Sequence, residues 1–193
     1  MVGQKQKSHL IKYKKTNINM SCILTSGYTL ACRSIAGIQA VYIGEWNGAT
    51  LGLSQSANGT ITDFTSGTVS FYRFEQPIET GSLTETGNFN VQNGTAYYDQ
   101  IVEITTHNTD QDLANQVNIL GRGKWRILVN DANDKWFLIG KQNPVYVTSV
   151  AGGSGKAYGD LNGFTITFTG KEFEVLTEVT EAAATPLLDL TVL

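Results

Sequence analysis

Hydrophobic and polar positions alternate with period two along most of this chain and with period 3.6 over a single stretch. Residues 38–43, Ile-Gln-Ala-Val-Tyr-Ile, read as a strand with Ile38, Ala40 and Tyr42 on one face and Val41 and Ile43 on the other. Trp46 and Asn47-Gly48 end it. Residues 68–74 predict a strand that is partly apolar on both faces, broken by Gln76-Pro77. An extended segment over 87–91 and a turn at Asn93-Gly94 lead to a strand over 97–106. Residues 125–130 and 135–140 are the arms of a hairpin around Asp131-Ala-Asn-Asp134, a composition suited to hairpin loops. Residues 144–150 and 164–170 form a last strand pair, with Phe164, Ile166 and Phe168 on one face and threonines on the other. Upstream, 22–24 and 28–32 flank a Ser26-Gly27 turn. Residues 52–67 are rich in Ser, Thr, Asn and Gly, with Asn58-Gly59 suited to a tight turn of positive φ.

The one helical stretch runs from Asp110 to Leu120. Leu113, Val117 and Leu120 fall at i, i+4 and i+7 and give one narrow apolar face. Asn108 or Thr109 is expected to cap it, with Asp112 completing a capping box after Thr109. Gly121 or Gly123 is expected to stop it in a left-handed conformation. One such helix makes no core alone and must pack on a sheet. The pattern therefore predicts a mainly β protein, a sandwich or barrel with one flanking helix.

The chain has 193 residues, 41% of them hydrophobic and 16% charged, which suits one domain with a real core. Charge divides it further. Lys5, Lys7, Lys12, Lys14 and Lys15 precede Met20 with no acid among them, which leaves nine bases against 17 acids in the remainder, about −8. We read a basic arm over residues 1–19, a β domain over 20–176 and a tail over 177–193. Met20, at the composition break, is a candidate internal translation start. In the tail Leu187, Leu188, Leu190, Val192 and Leu193 would be costly to leave in water, so it should dock on its own or a neighbouring subunit. No apolar run reaches the roughly 18–20 residues of a membrane helix, and no apolar stretch of a leader follows the first lysines, so cytoplasmic expression is expected.

Candidate chemistry is sparse. Residues 152–157, Gly-Gly-Ser-Gly-Lys-Ala, suggest a phosphate loop, but Val150 stands where its first Gly belongs and Ala157 where its Ser or Thr belongs. Asp160-Leu-Asn-Gly163 holds only part of a calcium-loop pattern. His9 lies in the arm. At His107, a strand end near Asp110 and Asp112, a nucleophile, base and orienting acid could in principle converge, but Thr105, Thr106, Asn108 and Thr109 are ordinary linker residues and it reads as a loop histidine. Glu75, Glu79 and Glu85 would be available to a glycosidase pair, as in any acidic β protein. Cys22 and Cys32 read as buried thiols, with a disulfide as the alternative in an oxidising compartment, rather than as zinc ligands. Asn58-Gly-Thr and Asn93-Gly-Thr match the glycosylation pattern but read as turns. No catalytic, cofactor-binding or metal residue is assigned, and no enzyme activity is expected.

Two stretches resemble a known family. They are Met20-Ser-Cys-Ile-Leu-Thr-Ser-Gly-Tyr-Thr-Leu-Ala-Cys-Arg, followed by the strand at Ile38, and Ala157-Tyr-Gly-Asp-Leu-Asn-Gly-Phe-Thr-Ile-Thr-Phe-Thr-Gly-Lys-Glu. Together they resemble virion tail proteins of tailed bacteriophages of Bacteroidetes, crAss-like phages among them. The order of strand, single helix, hairpin and closing strands also resembles the phage tail-tube fold. The resemblance spans residues 20–174 and leaves the arm unmatched. It implies a ring- or tube-forming structural subunit, a homo-oligomer of six or more copies that lines a channel for genome passage and binds no DNA sequence. Its implied partners are neighbouring tail, neck or portal proteins. Its implied location is the virion, after assembly in the host cytoplasm. A neck or connector adaptor or a tail terminator would use the same fold. A surface carbohydrate-binding β-sandwich is the rival from another class, and it would call for a leader and an exposed aromatic platform.

Overall fold

The structure is a computed structural model and describes residues 27–28, 34–46, 52–66, 70–185 and 188–189. Residues 34–193 form one compact unit and residues 1–33 a separate one. The basic arm, Met20, Cys22 and Cys32 lie outside the described residues, as do 68–69 of the strand expected over 68–74.

The protein is mainly β, built from two sheets that do not close into a barrel. In chain order the strands are β1 Ile38–Glu45, β2 Gly52–Gln55, β3 Ile61–Ser66, β4 Phe71–Glu75, β5 Ser82–Asn90 and β6 Thr95–His107. Helix α1, Gln111–Leu120, follows. Then come β7 Trp125–Asp131, β8 Trp136–Ile139, β9 Tyr146–Gly153, β10 Gly163–Glu172, β11 Thr177–Val179, helix α2 Glu181–Ala184 and β12 Leu188–Asp189. One sheet has eight strands in the order β12-β4-β1-β7-β8-β11-β3-β2, and the other has four in the order β5-β6-β10-β9.

The main core lies between the sheets. Val41, Ile43, Ile127, Val129 and Ile139 from the long sheet meet Val102, Ile104, Ile166 and Phe168 from the short one. Helix α1 adds Val117 and Leu120, with Leu113 half-buried beside them. Burying Val117 and Leu120 contributes about 1.5–3 kcal/mol each. On the other face of the long sheet, Ala40, Tyr42, Leu128 and Leu138 meet Ile61 of β3, Val179 of β11 and Ala183 and Ala184 of α2.

The structure differs from the sequence reading in several places. Ile38 joins Val41 and Ile43 in the main core, not Ala40 and Tyr42. The β1–β7 register shifts between Ile38 and Ala40, and such a bulge inserts one extra residue and reverses the alternation before it. Residues 52–66, read only as a polar turn region, are the β2–β3 hairpin, with Gly59 at φ 91 in its turn. The helix cap is Asp110, whose carboxylate accepts the Leu113 N–H at 2.8 Å. Asn108 instead takes a positive φ of 76, so the chain cannot enter the helix there. At the other end Gly121 is right-handed at φ −65. The helix closes through Trp125, whose indole N–H donates to the Leu120 carbonyl at 2.7 Å. A Cβ on Gly123 would overlap that indole. A second helix, α2, lies within the stretch 177–193 that the sequence pattern presents as a tail. Among the described residues after Leu176, β11 pairs with β8 and β3, and β12 pairs with β4, all within the long sheet; Leu187, Leu190, Val192 and Leu193 of the expected docking tail lie outside them.

Candidate functional site

Two features stand out, an open-edged sheet and a cleft. The short sheet ends in β5, nine residues, and β9, eight residues. Among the described residues neither outer edge has a strand partner. Neither strand contains Lys, Arg or Pro, the residues that commonly guard an edge. By contrast the long sheet ends in a two-residue strand, β12, and in the four-residue, twice-bulged β2. Exposed apolar side chains sit on both open edges: Phe89 is 65% exposed on β5, and Val150 is 43% exposed on β9.

The face of the short sheet that points away from the core is carpeted with hydroxyls. The registers of β5, β6, β10 and β9 put Thr84, Thr86, Thr165, Thr167, Thr169 and Ser149 on it. Thr148 occupies the bulge of β9, and its hydroxyl lies 3.1 Å from that of Thr169. The charges on this face are Asp99, Glu103 and Lys171, one net negative. The Lys171 ammonium pairs with Asp99 and lies 4.7 Å from the centre of the Tyr97 ring. The hydrogen bond it donates to Asp99, with the negative charge of that carboxylate, holds the Lys171 pKa above its usual range.

The cleft, of about 730 Å³, lies between β4 with the turn after it, the end of β6, and α1. Tyr72, Phe74, Pro77 and Leu113 supply its apolar walls, and Arg73, Glu75, Gln76, His107 and Gln116 its polar ones. Gln76 is committed to structure, since its side-chain oxygen accepts the Thr105 N–H at 2.9 Å. Arg73 and Glu75 approach only to 3.9 Å at the exposed rim, so each keeps its charge largely free for another partner.

The other sequence candidates fall in structural roles. The glycine-rich run is divided between the end of β9 and a loop over 154–162, with no helix after it. Within that loop the Asp160 carboxylate accepts the N–H groups of Lys156 at 2.8 Å and Ala157 at 2.9 Å. Those two bonds, Ala157 first, hold its pKa below the usual carboxylate value. His107 ends β6 opposite Gly163, and no hydrogen bond links it to Asp110, which caps the helix. Glu79 occupies a turn at φ 66. The Glu85 carboxylate accepts from Gln100 Nε2 at 3.0 Å and from the Leu176 N–H at 2.7 Å. Among the described residues no group of three His, Cys, Asp or Glu side chains is placed to share a metal ion. No helix there is long and apolar enough to cross a membrane.

A buried charged corner escaped the sequence reading. Glu172 is 4% exposed, and its Oε1 accepts the N–H groups of Gln142 at 2.9 Å and Asn143 at 3.0 Å. Burial pushes its pKa up, opposed by those two N–H groups and by Lys141. Lys141 pairs with Glu174 at 2.7 Å. Arg126 is 2% exposed and donates from Nε to the Gly140 carbonyl at 2.8 Å. Burial lowers its pKa and the Glu172 charge partly restores it. These groups join the β8–β9 and β10–β11 connections, where the chain passes from one sheet to the other. Comparison with protein-family models, with curated proteins and with solved structures finds no match to this chain.

Proposed function

We propose that this protein is a non-enzymatic structural subunit of a tailed-phage virion that forms a ring or tube around a channel for the genome. The observation that carries the reading is the pair of long open edges on the short sheet. Its four strands alternate in direction. A β9 edge therefore meets the β5 edge of a copy related by rotation in antiparallel sense. Repeated head to tail, that contact uses both edges of every copy, and it closes into a ring when the rotation between neighbours divides a full turn. It would cover Phe89 and Val150 and give the unpaired backbone groups of both edges partners.

The hydroxyl-covered face supports the same reading. Threonine and serine hydroxyls keep such a wall wetted, and its single net negative charge repels DNA rather than holding it. The acidic balance outside the arm acts in the same sense. The test is solution mass together with negative-stain images of the full chain. Rings or tubes with a central hole are expected. A monomer that persists across a concentration series, or compact particles without a hole, overturns the proposal.

A further inference from the structure

The loop over 154–162 and the 730 Å³ cleft lie side by side at one end of the unit. The Asn108 N–H donates to the Asn162 carbonyl at 2.8 Å, and the Thr109 hydroxyl donates to Asn162 Oδ1 at 3.3 Å. The base of the loop thus rests on the residues that follow the Thr105–His107 wall of the cleft. The loop is braced internally by Asp160, by the Asp160 N–H to the Ala157 carbonyl at 3.1 Å, and by Gly155 at φ 69. At its tip Tyr158 is fully exposed, and Leu161, next to the base, is 40% exposed. A held loop that displays a tyrosine loses little conformational entropy on docking, which makes it an effective anchor.

We propose that this tip is a knob that enters the cleft of a second copy of this chain, in a two-fold contact made twice over. Knob and hole share one end of the molecule, so a two-fold axis between two copies at that end would seat each knob in the other's cleft. That reciprocity is what an isologous interface requires. Tyr158 and Leu161 would meet Tyr72, Phe74, Pro77 and Leu113. The charges match as well: Lys156 stands on the loop beside Tyr158, and the exposed Glu75 carboxylate stands on the rim of the cleft. The contact uses neither open edge of the short sheet, so it stands whether or not the ring reading holds.

The test replaces Tyr158 with photoreactive benzoylphenylalanine in the full chain and irradiates a mixture of isotope-labelled and unlabelled protein. Mixed-label products joined at residues 72–77 or 113–116 are expected. Products joined elsewhere, or none at concentrations where the protein self-associates, overturn the proposal. A second measurement uses exposed positions that leave the fold intact. In sedimentation experiments Tyr158→Ala should weaken the contact at least about tenfold. Glu75→Lys should also weaken it, and adding Lys156→Glu should restore it. Rings that persist with a silent Tyr158→Ala reject the knob alone. Dimers that persist without rings reject the ring reading alone.

Discussion

Leu176 donates its backbone N–H to the Glu85 carboxylate at 2.7 Å, which ties the edge strand β5 to the β10–β11 connection ninety-one residues later. The same oxygen accepts from Gln100 Nε2 at 3.0 Å, and Gln100 is buried. Truncation by Glu85→Ala leaves an amide and a backbone N–H without their acceptor in a half-buried place. The expected loss is about 1–3 kcal/mol, read as a lower urea midpoint at unchanged slope. Glu85→Gln keeps an acceptor oxygen and should lose less. Equal losses from the two variants would mean that the charge, not the acceptor, holds this junction.

The pH dependence of Glu172 has a definite sign. Burial raises its folded-state pKa above the unfolded value, so the folded protein binds that proton more tightly than the unfolded chain does. The group's contribution to stability is then fully present below the unfolded pKa and lost as pH rises through the folded one. Glu172→Gln keeps an oxygen for the Gln142 and Asn143 N–H groups but has no charge to desolvate. Its stability relative to the parent should therefore rise with pH from the ordinary glutamate range upward and level off above the raised pKa. Urea unfolding of both proteins between pH 3.5 and 8 measures this. A relative stability that falls with rising pH would mean that Arg126 and Lys141 outweigh burial.

Local signals made part of this architecture legible. The α1 stripe of Leu113, Val117 and Leu120 packs as its spacing requires, and the alternation of Phe164, Ile166 and Phe168 points to the core. What the sequence concealed were features set by distant pairing. The bulge that turns Ile38 inward belongs to its register against β7. The β2–β3 hairpin is too polar to alternate, and its pairing is stabilised by tertiary context that a propensity reading lacks. By residue type Asn108 and Thr109 are good caps, one or two positions before the observed cap, Asp110. The φ of 76 at Asn108, which moves the cap to Asp110, comes with the loop that leaves β6. Glu85 and Glu172 looked like any acids in an acidic chain. Their partners lie 91 and about 30 residues away, at crossings between the two sheets. The open edges were invisible for the same reason, since strand order in a sheet is a property of the assembled topology.

Close backbone approach makes Gly163 the least replaceable glycine of the short sheet. A Cβ there would overlap the Thr106 carbonyl oxygen of the neighbouring strand, which has no side chain to move aside. Gly163→Ala should cost about 3 kcal/mol, near the top of the range for overpacked sites. Gly153, opposite it on β9, has nothing within 4 Å of its virtual Cβ. Gly153→Ala should be within about 0.5 kcal/mol of the parent. Thermal unfolding of the two variants side by side checks the contrast, and similar melting temperatures would contradict this backbone register.

The edges supply the sharpest test of assembly, because a lysine on an open strand blocks sheet continuation without disturbing a core. Val150 on β9 and Phe89 on β5 are both exposed and lie on opposite edges. Val150→Lys should abolish ring formation while leaving monomer stability within about 1 kcal/mol. Phe89→Lys should do the same. It additionally loses the edge-to-face contact with Tyr98, at 5.7 Å and 86°, which contributes about 0.5–1.5 kcal/mol. Head-to-tail joining makes a further demand. A mixture of the two variants can form one seam, from the free β9 of the Phe89→Lys chain and the free β5 of the Val150→Lys chain. That seam leaves only blocked edges at its two ends. With Tyr158→Ala added to both chains to remove the knob contact, the mixture should therefore stop at a dimer, while each variant alone gains no seam. Sedimentation velocity separates these states. Rings from either single variant, or a mixture no larger than its components, would place the subunit contact somewhere other than β5 and β9.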